Sequence, residues 1–92
     1  MMQAGESDQV SYDEERHLLR FSASEGRTAI SCAISKAALA ILEDDALAGL
    51  HAMVITFRRN RERIQAIAMR KYNNRCIEDG EIVVVRRDDI GG

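Results

Sequence analysis

The chain has 92 residues, of which 46% are apolar and 30% charged, and its formal net charge at pH 7 is −2. A chain of this length forms one domain, and this composition is that of a globular protein and not of a disordered one. No apolar run reaches the roughly 18 residues of a membrane span, and the polar, acidic residues 1–9 do not resemble a secretion signal. Two cysteines make no disulfide framework, so we expect a cytoplasmic protein with free thiols.

The first half of the chain has the alternation that is typical of strands. Residues 1–9 lack any period and are predicted to be a flexible tail before a single domain at 10–89, with a second tail at 90–92. Residues 17–23 and 28–34 each place every second side chain on an apolar face. With the turn at Gly26 between them, these runs predict a hairpin, and a short strand at 10–12 extends it to a meander.

The second half predicts helices and then one strand. Ser35 can cap a helix over residues 36–43, and residues 50–73 carry a continuous apolar stripe at helical spacing. Asp79-Gly80 predicts a turn before a last strand at 81–87, which contains a buried apolar run. This order predicts an α+β fold, a two-layer sandwich with an antiparallel sheet of three to four strands covered by two or three helices.

Three short patterns follow one another along the chain. They are Cys32-Ala33-Ile34-Ser35 followed by Ala38-Leu39; Phe57 with Asn60-Arg61, Ile64, Ile67 and Ala68; and Asp79-Gly80-Glu81-Ile82 leading to Asp88 or Asp89. In this order and spacing they resemble the bacterial domain-of-unknown-function family 1488, over roughly residues 10–89. The resemblance implies an antiparallel sheet packed against helices, and it implies no known activity or catalytic residue.

Cysteine and histidine are the residues that could carry chemistry. Cys32 falls on the inward face of a predicted strand and is expected to be a core residue, although Ser35 and the start of a helix nearby leave a nucleophile as the alternative. The other candidates, His17, His51 and Cys76, are scattered, so no metal site is predicted. There is no glycine-rich phosphate loop, and we expect no cofactor and no enzymatic activity.

A basic helix surface is the sharpest feature of the sequence. Residues 58–75 hold seven Lys or Arg and one acid. The candidate interaction surface on the predicted helix consists of Ile55, Arg59, Glu62, Arg63, Ala66 and Arg70. Arg59, Arg63 and Arg70 would suit a phosphate backbone, but a pI of about 5.6 argues against nucleic acid as the main partner. The remaining alternative is a solvated face or one paired with acids of residues 6–15 or 43–45.

Arg61 is a separate case, because it falls close to the apolar stripe of the same helix. We expect its methylene groups to pack on the core and its guanidinium to hold the last strand through Asp88, Asp89 or Glu81. An anion-binding arginine is the alternative.

Charge is unevenly divided between the halves of the chain. Residues 1–49 hold four Lys or Arg and nine Asp or Glu, whereas residues 50–92 hold nine and six. Together with the apolar side chains on the basic surface, this division favours a self-associating, non-enzymatic interaction module, with a homodimer contact at the basic helix or at an uncovered sheet edge. The alternative function is weak electrostatic binding of nucleic acid.

Overall fold

A computed structural model describes residues 10–25, 27–43, 48–78 and 81–91 of the chain. The elements in chain order are β1 (Ser11–Asp13), β2 (Leu18–Glu25), β3 (Thr28–Ser35), α1 (Lys36–Leu42), α2 (Leu50–Arg59), α3 (Arg61–Asn73), β4 (Val83–Val85) and α4 (Arg87–Gly91). This order confirms the predicted α+β class, with four helices in the described residues where two or three were predicted. The tail predicted at residues 1–9 lies outside the described residues.

The sheet has the strand order β1-β2-β3-β4, and its first three strands form the predicted antiparallel meander. After β1 the chain turns at Asp13, whose carboxylate accepts hydrogen bonds from the backbone N–H groups of Glu15 and Arg16 at 3.1 and 3.2 Å. β2 and β3 pair over eight positions, from Leu18 opposite Ser35 to Glu25 opposite Thr28. The hairpin predicted from the alternating pattern is therefore present.

The fourth strand makes the sheet mixed, which corrects the prediction of an antiparallel sheet. β4 runs parallel to β3, with residues 32–34 opposite Val83–Val85. All three valines are buried, as is usual for a strand that is covered on both faces. An unbroken apolar run has the same appearance in either direction, so the pattern could not reveal the orientation of β4.

The main core lies between one face of the sheet and the helices, and all four helices contribute to it. The buried side chains that β2 and β3 place on this face are Leu19, Phe21, Ala23, Ile30, Cys32 and Ile34, as the alternation predicts. The only aromatic ring pair among the described residues joins the sheet to α2, with the rings of Phe21 and Phe57 4.8 Å apart. No helix within the described ranges is long and apolar enough to cross a membrane.

The helix predicted over residues 50–73 is in fact two helices, α2 and α3, separated at Asn60. The backbone of Asn60 leaves the helical region, with φ −112° and ψ 19°. Its side-chain amide donates to the Thr56 carbonyl at 2.9 Å and to the Glu43 carboxylate at 3.2 Å. Asparagine side chains compete in this way for helix carbonyls, which favours a helix end at Asn60.

The start of α1 and the burial of α4 test two predictions about the boundaries of the helical layer. Ser35 caps α1 as predicted, because its hydroxyl accepts the N–H of Ala38 at 3.1 Å. At the other end of the chain, Ile90 lies in α4 and is buried in the core. The tail predicted at residues 90–92 therefore starts too early, and the domain includes Ile90.

Candidate functional site

The β2–β3 hairpin extends beyond its neighbouring strands on both sides. β1 pairs only with the first three residues of β2, and β4 pairs only with residues 32–34 of β3. Within the described part of the chain, residues 21–25 and 28–31 therefore have no strand beside their outer edge. We call these stretches the free edge of β2 and the free edge of β3.

Both free edges lack lysine and proline, which commonly protect a sheet edge. Natural edge strands are blocked by lysine, proline or a bulge, or are very short. The sequences Phe-Ser-Ala-Ser-Glu and Thr-Ala-Ile-Ser contain no proline and no basic residue. In contrast, β1 has only three residues, and β4 is contacted by Lys71, whose Nζ donates to the Val84 carbonyl at 2.6 Å. The far end of the hairpin is thus the part of the sheet most open to another strand.

The face of the sheet opposite the helices is covered at one end and bare at the other. Near the turn after β1, four buried apolar residues form a small second cluster, namely Leu18, Ala33, Ile82 and Val84. Farther along the hairpin, the exposed side chains on this face are small: Ser22, Ser24, Ala29 and Ser31. Another backbone can approach such a surface without displacing large side chains.

A groove of about 540 Å³ lies beside the free edge of β3. Residues 29–31 of β3 line one side of this groove. Tyr72 of α3 lines the other side, together with Ile77 and Glu81 from the segment that leads to β4. Ile77 is 43% exposed and adds an apolar contact point to the groove.

Backbone hydrogen bonds hold Ile77 in this position. The N–H of Cys76 donates to the Lys71 carbonyl, and the N–H of Glu78 donates to the Ile82 carbonyl, both at 2.8 Å. The two residues that flank Ile77 are therefore fixed to α3 and to Ile82, the residue before β4. Its exposure follows from the local fold of the segment.

The same segment is tied down by an ion pair. Glu78 accepts two hydrogen bonds from the guanidinium of Arg86, at 2.9 and 2.7 Å. The hydrogen bond from Arg86 holds the pKa of the Glu78 carboxyl below its usual value. This pair joins the residues before β4 to the residue after it, which further restrains the groove.

Glu81 completes the groove and turns the chain into β4. Its φ of 58° lies in the left-handed region, which is uncommon for a residue other than glycine. Its N–H donates to the Glu78 carbonyl at 3.1 Å. The side chain is exposed, and it forms no ion pair with any other residue of the described ranges. The groove therefore carries a carboxylate whose charge is not neutralised by a contact.

The break at Asn60 divides the predicted interaction surface between two helices. Ile55 and Arg59 belong to α2, and the other four members, Glu62, Arg63, Ala66 and Arg70, belong to α3. All but Ile55 are exposed; Ile55 is half-buried. The surface is therefore less apolar than the sequence suggests, and its role in a contact stays a prediction.

Arg59 already has an acidic partner within the chain. Its Nη1 lies 3.0 Å from Oε1 of Glu43, whose other oxygen accepts the amide of Asn60. The arginine side chain is 67% exposed, so the pair contributes little stability. It does lower the positive charge that this surface offers to a phosphate, in line with the alternative of pairing with the acids of residues 43–45.

Lys71 makes the contact between α3 and the end of the chain that the sequence assigned to Arg61. Its Nζ donates to Oδ2 of Asp89 at 2.7 Å, and the same oxygen accepts the N–H of Arg86 at 2.8 Å. Desolvation raises the pKa of Asp89, but these hydrogen bonds outweigh it and leave the pKa below its usual value. Arg61 lies ten residues earlier on the helix, about 15 Å along its axis, and is half-buried.

Comparison with known proteins places the chain in a family. A family described as "protein of unknown function (DUF1488)" matches residues 7–84, which is most of the chain. The chain belongs to the DUF1488 family. The resemblance stated from the three sequence patterns is therefore confirmed, and so is the absence of an assigned function. No curated protein matches the chain.

A solved structure supports the fold of this DUF1488 protein. The chain is similar to a protein of unknown function of the DUF1488 family from Shewanella loihica PV-4, whose crystal structure was determined at 1.60 Å. The TM-score is 0.76 at 18% sequence identity, and the match covers 92% of this chain and 98% of the other. At this identity the likeness shows the fold alone.

The DUF1488 pattern residues have structural positions in the described part of the fold. Cys32, Phe57 and Ile64 are buried in the core, and Ser35 caps α1. Burial raises the pKa of the Cys32 thiol to about 11, so the thiol is protonated at neutral pH and does not suit the nucleophile that the sequence left open. The exposed Asp88 lies in α4, and Gly80 lies outside the described residues.

The groove residues of this DUF1488 chain were missed by the sequence reading. Ile77 is the one aliphatic side chain in the short stretch between the end of α3 and the predicted turn at Asp79-Gly80. An isolated isoleucine at such a place is a signal that could have been noted. Within the described ranges, no cluster of His, Cys, Asp or Glu could hold a metal ion.

Proposed function

We propose that the protein is a non-enzymatic, self-associating interaction module of the bacterial cytoplasm, and that two copies pair through the free edge of β2. The observation that carries the proposal is this edge itself, five residues long and without a protecting lysine, proline or neighbouring strand in the described part of the chain. A second strand would supply hydrogen-bond partners to the outward backbone groups.

A twofold axis suits this edge. Closed homodimers use the same patch on both copies, and an antiparallel pair of β2 strands centred on Ala23 has that symmetry. Ser22 of one copy would then lie opposite Ser24 of the other, so small, uncharged side chains meet at the centre of the pair, and Phe21 would lie opposite Glu25 at each end. At the basic surface, the same symmetry would bring arginines of the two copies together, which is unfavourable. The free edge of β2 is therefore the better contact.

Several features support a role without catalysis in a bacterial cytoplasm. Lys71, Asp89 and Glu78, which are partly buried, serve the fold, since Lys71 binds Asp89 and Glu78 binds the exposed Arg86. Both cysteines are free thiols, which suits a reducing compartment. A family member of known structure comes from the bacterium Shewanella loihica.

The test is the dimer dissociation constant of a Ser24→Lys variant, measured by analytical ultracentrifugation. A lysine on the edge would oppose its own copy diagonally and would be desolvated in the pair, so we expect the constant to rise at least about tenfold. Circular dichroism should show an unchanged fold, because Ser24 is exposed.

Two controls locate the contact. Ser24→Thr keeps the site neutral and suits a strand, so its dimer should persist. Arg63→Glu changes the basic surface and should leave the constant unchanged. A wild-type protein that stays at the monomer mass of 10.3 kDa over a hundredfold dilution would contradict self-association. Loss of the dimer in Arg63→Glu but not in Ser24→Lys would move the contact to the helices.

A further inference from the structure

The groove beside the free edge of β3 is separate from the edge assigned to self-association. It lies on the opposite side of the hairpin, where β4 stops short and the chain turns away at Glu81. Because β2 and β3 are neighbouring strands with opposite outer edges, a dimer through β2 leaves this groove open. A second ligand therefore has access to it.

We propose that this groove binds an extended peptide segment of another protein, added as a strand along β3, with an apolar side chain and a basic side chain two residues apart. The backbone of residues 28–31 offers the hydrogen-bonding groups of a sheet edge without a neighbour in the described ranges. Recognition by strand addition takes its affinity from such main-chain bonds and its specificity from pockets for alternate side chains.

Ile77 defines the apolar side chain of the ligand. It is exposed while its flanking residues are hydrogen-bonded to α3 and to Ile82 just before β4, so the apolar contact point is already in place before binding. The half-buried Tyr72 lies in the same groove and extends the apolar contact. An aliphatic side chain of the peptide would be removed from water against both.

The carboxylate of Glu81 selects the basic side chain of the peptide. It is exposed, lines the groove and has no ion-pair partner among the described residues, so a lysine or arginine of the peptide would supply the missing charge. Side chains two residues apart point to the same side of a strand. A peptide lying along β3 would thus turn both of its recognition residues toward Ile77 and Glu81.

The test uses a fluorescein-labelled octapeptide in which threonines surround one leucine and one lysine two positions apart, with binding followed by fluorescence anisotropy. We expect saturable binding to the full-length protein. Ile77→Ser and Glu81→Lys should each weaken it at least about fivefold. The matched controls are Ile41→Ser, at a similarly exposed isoleucine of α1 (45%), and Glu62→Lys, at an exposed acid of α3; both should leave binding unchanged.

Exchanging the charges tests the ion pair directly. The same peptide with glutamate in place of lysine should bind Glu81→Lys more tightly than it binds the wild type. Amide NMR shifts on peptide addition should be largest at residues 29–31 and should be small on the free edge of β2.

Four results would overturn the proposal. They are no binding of the octapeptide at millimolar concentration, an equal loss in Ile41→Ser and Ile77→Ser, amide shifts confined to residues 21–25, and an Ile77→Ser variant that loses the dimer. The last would show that a second copy fills the groove. A monomeric wild type that still binds the peptide would contradict only the proposed self-association.

Discussion

The ammonium group of Lys71 joins three elements, because it donates from α3 to the backbone of β4 and to a carboxylate of α4. Its side chain is 18% exposed and that of Asp89 is 26% exposed, so the pair is less screened by water than a surface pair. Removing the lysine would leave a backbone carbonyl and a carboxylate without this donor.

We expect Lys71→Met, which keeps most of the apolar stem, to lower the free energy of unfolding by about 1–3 kcal/mol in urea melts. The control is Lys36→Met at the half-buried start of α1, where the ammonium forms no hydrogen bond or ion pair with another described side chain. That change should cost less than about 0.5 kcal/mol. Equal effects of the two substitutions would contradict a specific role of Lys71.

The pair also has a pH signature. Because the folded-state pKa of Asp89 is depressed, its contribution is complete above the unfolded pKa of about 4 and is lost as the pH falls through the folded value. The stability difference between the wild type and Lys71→Met should therefore narrow below about pH 4. A difference that stays constant down to pH 2 would show that Asp89 is not the partner that matters.

The sequence predicts the position of a single residue only where that residue belongs to a repeating pattern. The inward residues of β2 and β3 follow a period of two, and all were predicted. The contact between Lys71 and Asp89 was not predicted, because it depends on how α3 and α4, which are separated by β4 in the chain, are placed in the fold. Arg61 was predicted to make this contact because it lies near the apolar stripe of the helix. Nothing in the sequence pattern distinguishes Lys71 from the other basic residues of the helix.

At the scale of elements, the junction of α2 and α3 is a feature that the helical spacing of apolar residues does not predict. The apolar stripe continues on both sides of Asn60, so the pattern predicts one helix. The break depends on the Asn60 amide and on Glu43, which α1 brings to the same place. Only the folded structure joins these two residues, which are 17 positions apart.

Whether Asn60→Ala raises or lowers the free energy of unfolding tests this explanation of the helix break. Alanine at an interior helix position is better than asparagine by up to about 0.7 kcal/mol. If the amide contacts maintain the junction, Asn60→Ala should instead destabilise the protein by about 1 kcal/mol, because Glu43 and the Thr56 carbonyl each lose a donor. Urea melts decide the sign, with Arg63→Ala, at an exposed position of α3, as a control expected to change little. Stabilisation by Asn60→Ala would contradict the account.

At the scale of the whole molecule, the net charge of −2 opposes the local positive charge of the arginine-rich surface. Arg63 and Arg70 make no ion pair within the described ranges, while Arg59 is paired with Glu43. A local positive surface on an acidic protein attracts polyanions weakly and without sequence preference.

Binding to a duplex DNA of random sequence should therefore be weak and steeply salt-dependent. If three arginines each neutralise one phosphate, affinity should fall about 40-fold between about 50 and 200 mM salt. Replacing Arg59, Arg63 and Arg70 together with alanine should abolish it, while replacing Arg75 and Arg87, also exposed but outside the surface, should not. Tight binding that tolerates salt would show that nucleic acid is the true partner.

The parallel pairing of β3 with β4 has a consequence for the order of folding. Opposite residues of these strands are 51 positions apart in the chain, whereas the β2–β3 hairpin closes within a few residues. Closing the longer loop costs about 3.5 kcal/mol of chain entropy before any contact repays it. We therefore expect the meander to form early and β4 to dock last, after α1, α2 and α3 have left the ribosome. Until then the whole outer edge of β3 is open, and a nascent chain is most exposed to misassembly there.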